Sequence, residues 1–501
     1  MALTTARLNP FTVVIFVVLA ILGTACGQDQ PTQVIPSTTL PTEPADTIAP
    51  TEILKKTDVP PTETSLPGGP ALPLSKYDLS VFLDYDSHQG TIEQQISYTN
   101  TSGTELNEVL VLIEPNQYPG GFVLEELKWE NGETIADYSL QGRELRIPTP
   151  VPLSPGEALG IQLIYQVNLP NQNAPYGYTD RQTNLGDWYP YIPPFIPGEG
   201  WLVRDDAYLG EHLAYDMADF EVEIQLANSY AANGGELIIA ASSLPEIEGE
   251  IYRFHHSPAR NFVWTVSDQY QMQETLVGDV MVQSYSFPYH PQADGPALEE
   301  TAKALSIFNE LFSPYPHKIL SVVEADFLDG MEYDGLIFLS HAFYDYYTGD
   351  QRSNLTIIAA HEVAHQWWYG LIGNDQALEP WLDEALSTFS ELYFYESAYP
   401  EYADWWWQNR ISFHEPQGWV DSSIYEVAGF YPYRDAVYLR GAMFMGEVRD
   451  LLGEEAFLDF LRDYLEKYSQ RQANGDDFFN LLSAHTSADL SGLISSYFNH
   501  R

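Results

Sequence analysis

The chain has 501 residues, and 71 acidic against 22 basic side chains give it a formal net charge of -49. Such a balance repels nucleic-acid phosphates and anionic membrane surfaces, so a nucleic-acid-binding role is excluded and the acidity is read as a well-solvated surface. At this length one ordinary core does not suffice and at least two domains are expected, with 34 Tyr and 11 Trp supplying ample material to bury.

Residues 1–26 read as an export signal. Arg7 is the positive n-region, Phe11 to Leu22 form an apolar h-region too short for a spanning helix, and Gly23-Thr24-Ala25 are small. Cys26, the only cysteine, follows directly. The arrangement resembles the lipobox of bacterial lipoproteins, with Leu22 four residues before the cysteine where that motif usually has Leu three before. It implies an exported chain held at a membrane through lipidated Cys26 or an N-terminal anchor. No second cysteine is present, so no intrachain disulfide supports the exported fold. From Gly27 to Ser75, Pro and Thr dominate without hydrophobic periodicity, which predicts a spacer over residues 27–75.

From Tyr77 the pattern has period two. Tyr77, Leu79, Val81 and Leu83 alternate with polar residues, as do Leu159, Ile161, Leu163, Tyr165, Val167 and Leu169, and again Val222, Ile224 and Leu226. Turn signals such as Asn131-Gly132 and Pro155-Gly156 separate these runs. Residues 77–272 therefore predict one antiparallel β domain, a large sandwich or saddle.

The character changes near Gly278, and residues 278–501 are expected to form a second, α-rich domain. Val280 to Phe287 reads as a strand. A helix is predicted from Pro296-Ala297 with Leu298, Ala302, Leu305 and Phe308 on one side, then a strand at Ile319 to Val323. Leu355 to Ala360 are apolar and free of Gly and Pro, and Trp367-Trp368 continue the run, which predicts a buried helix. Glu379-Pro380 opens another, with Glu384, Thr388 and Glu391 near one face.

The first of these helices carries His361-Glu362-Val363-Ala364-His365. Residues i and i+4 stack on one helical face, so both imidazoles reach one metal ion. Glu384 supplies a third ligand from the next helix and leaves the fourth position of a tetrahedral zinc open, as in catalytic sites. One zinc ion per chain is expected. Glu362, beside His361 and not needed as a ligand, is the natural general base for an attacking water and the later acid to a leaving amine. Glu391 is a candidate to fix a ligand histidine through its second nitrogen. The other histidines, including His255-His256, lack ligand spacing and read as structural or surface residues.

His361-Glu362-Val363-Ala364-His365-Gln366-Trp367-Trp368-Tyr369-Gly370, followed by Trp381-Leu382-Asp383-Glu384, resembles the gluzincin signature of M1-family aminopeptidases. Asp329-Gly330-Met331-Glu332-Tyr333 resembles the family's GxMEN exopeptidase motif, and Tyr438-Leu439-Arg440-Gly441 its Tyr-x-Lys-Gly element. The resemblance covers residues 77–501 and is most specific in the catalytic half. It implies a thermolysin-like catalytic domain behind the β domain and a zinc peptidase that removes N-terminal residues from peptides. Glu332 is then implied to hold the substrate's α-ammonium, Gly330 and Met331 to pair with its backbone, and Tyr438 to donate to the oxyanion.

Asp329, Tyr333, Ala385 and Arg440 depart from the family's Gly, Asn, Gly and Lys, and none of these changes removes a catalytic group. About 60 residues follow Tyr438, whereas many members carry a further helical domain that closes the cleft, so a more open cleft is expected. Two rivals stand beside the aminopeptidase: an endopeptidase or oligopeptidase with an open cleft, and a surface binding protein on an inactive peptidase fold. The preferred N-terminal residue and the oligomeric state are not legible in the sequence.

Overall fold

A computed structural model describes residues 73–501. The expected export signal, Cys26 and all but the last three positions of the spacer lie outside the described residues. The first strand, Ser75–Asp84, begins where the spacer was expected to end.

A seven-stranded sheet forms the frame of the first half. Across it run Pro245–Glu248, Ile251–Ala259, Ala218–Leu226, Ser75–Asp84, Gln89–Thr99, Ala158–Asn168 and Phe122–Trp129. The period-two residues turn inward as expected: Tyr77, Leu79, Val81 and Leu83 are buried, opposite Ile96, Gln94, Ile92 and Gly90. Buried Gln94 is satisfied by donating to the Pro190 carbonyl at 2.7 Å and accepting from the Tyr165 hydroxyl at 2.9 Å. Smaller four-stranded and three-stranded sheets share the same apolar core, which fits the sandwich or saddle expectation. One ladder departs from the antiparallel pattern. Ser75–Asp84 and Ala218–Leu226 are parallel, because the strands are joined by a long excursion instead of a hairpin.

The second half is built on a five-stranded sheet ordered Gln271–Val277, Val280–Ser286, Ile319–Ala325, Leu336–Ser340 and Gly330–Met331. Its first strand spans the transition near residue 272 and pairs with the second as a hairpin. The three central strands are parallel, and Gly330–Met331 forms a short antiparallel edge. The helix Pro291–Leu311 packs on this sheet and starts five residues before Pro296. Pro291 takes the first-turn position, where a missing N–H costs nothing, and Pro296 lies inside the helix. Leu298, Leu305 and Phe308 are buried as predicted, but Ala302 is only half-buried while Ala304 takes the core position.

The metal-motif helix is Asn354–Ala364, and it does not continue through Trp367 and Trp368 as their apolarity suggested. At Trp368 the backbone leaves the helical basin (φ -95°, ψ 64°) and at Tyr369 φ is +152°. Contacts made far away in sequence hold this turn. The Tyr369 carbonyl accepts from Arg260 Nε, and its hydroxyl accepts from Asn261 Nδ2 at 2.6 Å. Buried Arg260 also donates to the carbonyls of Tyr215 at 2.8 Å, Leu371 at 3.0 Å and Arg471 at 3.0 Å. One guanidinium thus fastens the β framework to the segment that ends the motif helix.

Candidate metal and catalytic site

Ser353 caps the motif helix by accepting from Thr356 N, and the apolar turns that follow bury it between sheet and helices. Its last turn presents His361 and His365. Their Nε2 atoms are 3.1 Å apart and lie 3.1 and 3.4 Å from Glu384 Oε2. Glu384 enters from the first turn of the helix Trp381–Ala398, for which Pro380 is the cap. Four ligands tetrahedrally placed about 2.0 Å from zinc would be separated by about 3.3 Å. The three donors are spaced accordingly, and the set fits zinc.

The second nitrogens of both rings are engaged. His361 Nδ1 faces Glu391 Oε1 at 2.9 Å, and His365 Nδ1 faces the Trp368 carbonyl at 3.1 Å. With Nδ1 as donor, each ring directs an Nε2 lone pair to the shared centre. The break in the helix thus has a local use: it turns the Trp368 carbonyl back onto His365. Glu391 is itself gripped, accepting from Trp406 Nε1 at 2.8 Å and from Arg410 Nε and Nη2 at 2.9 and 2.8 Å.

Burial alone would depress the imidazole pKa values, but the carboxylates outweigh it. His361, facing Glu384 and Glu391, and His365, facing Glu332 and Glu384, are both lifted to about 9. Burial would conversely raise Glu384, and its bonds to the two histidines bring it down to about 2. The centre favours positive charge, which a shared divalent ion supplies better than protons.

Glu362 is buried beside this triad, and its Oε2 has no hydrogen-bond partner among the described residues. Burial, with Glu332, Glu384 and Asp329 nearby, pushes its carboxyl well above the ordinary range. Gly330 faces it so closely that a Cβ there would overlap the Glu362 carboxylate. Glu332 is buried and accepts from Gln376 Nε2 at 3.2 Å. Tyr438 stacks parallel to His361, with ring centroids 5.9 Å apart, and donates its hydroxyl to Glu384 Oε1. Glu332, Gly330, Glu362, Tyr438 and the three candidate ligands all line one cleft. Met331, next to them on the edge strand, packs into a small apolar cluster instead of lining that cleft.

Several contributors escaped the sequence reading. Glu211 reaches the same cleft from the β half, 121 residues before Glu332, and loss of solvent together with the Glu332, Glu384 and Asp383 charges raises its carboxyl strongly. Arg410 and Arg434 also line it, from segments with no motif around them. Asp334, directly after the Glu332 segment, is held by His317 Nε2 at 2.8 Å and by the Arg260 amide at 2.9 Å. His256 packs on His317 and bonds the Asp334 carbonyl at 3.2 Å, so this second buried His/His/Asp group is tied into the framework. Tyr333 has a structural partner too, because its hydroxyl donates to Asp187 at 2.6 Å in a space kept by Gly186.

The parallel-centred sheet with an edge strand beside a helix-borne HExxH, and a carboxylate from the next helix, match the thermolysin-like fold expected for the second half of the chain. Residues 296–497 match the family model described as the peptidase family M1 domain. Endoplasmic reticulum aminopeptidase 2 of Homo sapiens is 26% identical over 272 residues, covering 49% of this chain and 28% of that protein. Aminopeptidase N of Lactobacillus helveticus is 25% identical over 308 residues, covering 56% of this chain and 36% of that protein. The chain thus spans about a third of the length of these curated relatives. Among solved structures, an M1 zinc metallopeptidase of Deinococcus radiodurans, a glutamate-to-alanine variant bound to Tyr-Ser-Ala substrate, superimposes with a TM-score of 0.62 at 19% identity. That match covers 87% of this chain and 96% of the other, and it shares the fold.

Proposed function

We propose that this protein is a zinc-dependent aminopeptidase. The observation that carries the reading is the pair of carboxylates Glu332 and Glu211 in the cleft that also holds the His361, His365 and Glu384 donors. Zinc bound by these three residues supplies a Lewis acid for the scissile carbonyl and acidifies the attacking water. Glu362, with one oxygen unpartnered, takes the water's proton and returns it to the leaving amine. The Tyr438 hydroxyl exchanges its bond to Glu384 for the developing oxyanion. Glu332 and Glu211 receive the substrate's α-ammonium, so the chain is cut one residue from that end. Gly330 and Met331, on the edge strand, offer backbone groups for the substrate to pair with. The Tyr-Ser-Ala complex of the structural neighbour supports peptides as the substrate class.

The test compares one peptide with free and acetylated N-termini, with and without chelator. Acetylation should lower kcat/KM about a hundredfold or more, since it leaves buried Glu332 and half-buried Glu211 without a cation. Chelation should abolish turnover and added zinc restore it. Equal cleavage of both peptides would favour the endopeptidase.

We further propose export and anchoring through Cys26. The signal-like segment and the lone cysteine support this. A Cys26→Ser chain that still partitions with membranes and still incorporates labelled palmitate would contradict it.

A further inference from the structure

We propose that the cleft binds a carboxylate on the leaving side of its peptide through Arg410 and Arg434. The preferred substrates are then short free-acid peptides, or peptides with Asp or Glu directly after the cut. This rests on the aminopeptidase reading and adds a second end to it. Among the described residues lining the cleft, these two are its only Lys or Arg side chains, in a chain with 22 such residues against 71 acids.

Their placement separates them from the ammonium site. After burial, His365 is the strongest influence on Glu332, whereas Arg410 lies behind His361 through the shared Glu391. The ring centroids of the two histidines are 4.8 Å apart, which sets Arg410 on the His361 side of the donor triad and Glu332 on the His365 side. A peptide entering amine first extends its leaving half towards the arginines.

Both forks are held in place. Arg410 spends Nε and Nη2 on Glu391. Arg434 spends Nε on Asp435 at 3.0 Å and Nη2 on Asp435 and His414 Nδ1. Among the described residues neither Nη1 has a hydrogen-bond partner, although both residues lie on the cleft wall. Glu391, Asp435 and the nearby Asp329 balance the guanidinium charges, so this wall offers N–H donors more than a bulk field. A carboxylate, accepting on two oxygens, matches such groups, whereas an amide oxygen matches them only weakly.

The experiment uses the full zinc-loaded chain with four dipeptides: alanyl-alanine, its C-terminal amide, and the C-terminal amides of alanyl-aspartate and alanyl-asparagine. The expected kcat/KM advantage is about tenfold for the free acid over its amide. If the side-chain carboxylate is also read, alanyl-aspartate amide exceeds alanyl-asparagine amide similarly, and if only the C-terminal one is read, that second ratio is near one. Arg434→Gln should collapse the acid-to-amide ratio and Arg434→Lys keep part of it. Partial unfolding scales all substrates alike and leaves the ratio untouched. Cleavage of all four at equal rates would overturn the proposal while leaving the aminopeptidase reading intact. Cleavage of none would remove both.

Discussion

A carboxylate that must accept and return a proton needs one oxygen free, and Glu362 Oε2 is buried without a partner among the described residues while the rest of the side chain packs against Gly330. Glu362→Gln keeps the shape and removes the base. Hydrolysis should fall by about a thousandfold or more, with one zinc per chain retained in metal analysis. Loss of zinc together with activity would show that Glu362 is holding the site and not moving the proton. Tyr438 is tied to Glu384 through its hydroxyl alone and stacks on His361 through its ring, so Tyr438→Phe separates the two roles. It should lower kcat about 10- to 1,000-fold with little change in KM, as removal of an oxyanion donor does. A raised KM at constant kcat would place Tyr438 in ground-state binding instead.

At the scale of elements, the site depends on how closely two helices approach. Trp381–Ala398 carries Glu384, and Arg440–Leu452 follows directly on the turn that carries Tyr438. They meet at Gly441 and Ala385, where a Cβ on Gly441 would fall on the Ala385 methyl. The M1 resemblance puts glycine at both positions, and here Ala385 has taken the space that Gly441 leaves. Gly441→Ala should therefore cost about 1–3 kcal/mol and lower kcat by moving Tyr438 away from Glu384. Ala385→Gly added to it should restore most of both, measured by thermal unfolding and steady-state rates. Additive losses in the double variant would mean that the helices do not share one space. The donor triad was legible because its information is local: an i, i+4 pair on one helix and a signature on the next. The end of the motif helix was not, because Arg260, more than a hundred residues upstream, holds the Tyr369 and Leu371 carbonyls that define the turn. Glu211, Arg410 and Arg434 were equally hidden, since only the tertiary fold brings them to the cleft.

For the whole molecule, a formal charge of -49 means that stability depends on where its acids lose their protons. Two buried acids outside the cleft, Glu324 and Glu114, show this dependence. Burial raises Glu324 to about 8 despite its bond from the Phe287 amide at 2.8 Å and the nearby Arg181, with Asp294 and Asp326 adding to the rise. His290 Nε2 lies 3.5 Å from its other oxygen. Burial likewise raises Glu114 to about 7 although Arg143 sits 3.0 Å away. A folded-state pKa above the unfolded one means the unfolded chain releases its proton first. These groups therefore favour the fold at acid pH, and that contribution is lost as pH rises from about 4.5 towards 7 and 8. Asp334 works in the opposite sense. Burial would raise it, but the His317 contact takes it down to about 2, so its contribution is present above about 4 and lost only in strong acid. Zinc release at low pH adds its own loss, common to wild type and any variant away from the site. Glu324→Gln keeps an acceptor for the Phe287 amide and removes the charge. The difference in unfolding temperature, variant minus wild type, should be near zero at pH 5 and grow to a few degrees in the variant's favour at about pH 8. A difference that stays constant across that range would mean that Glu324 is not the group whose ionisation strains the fold.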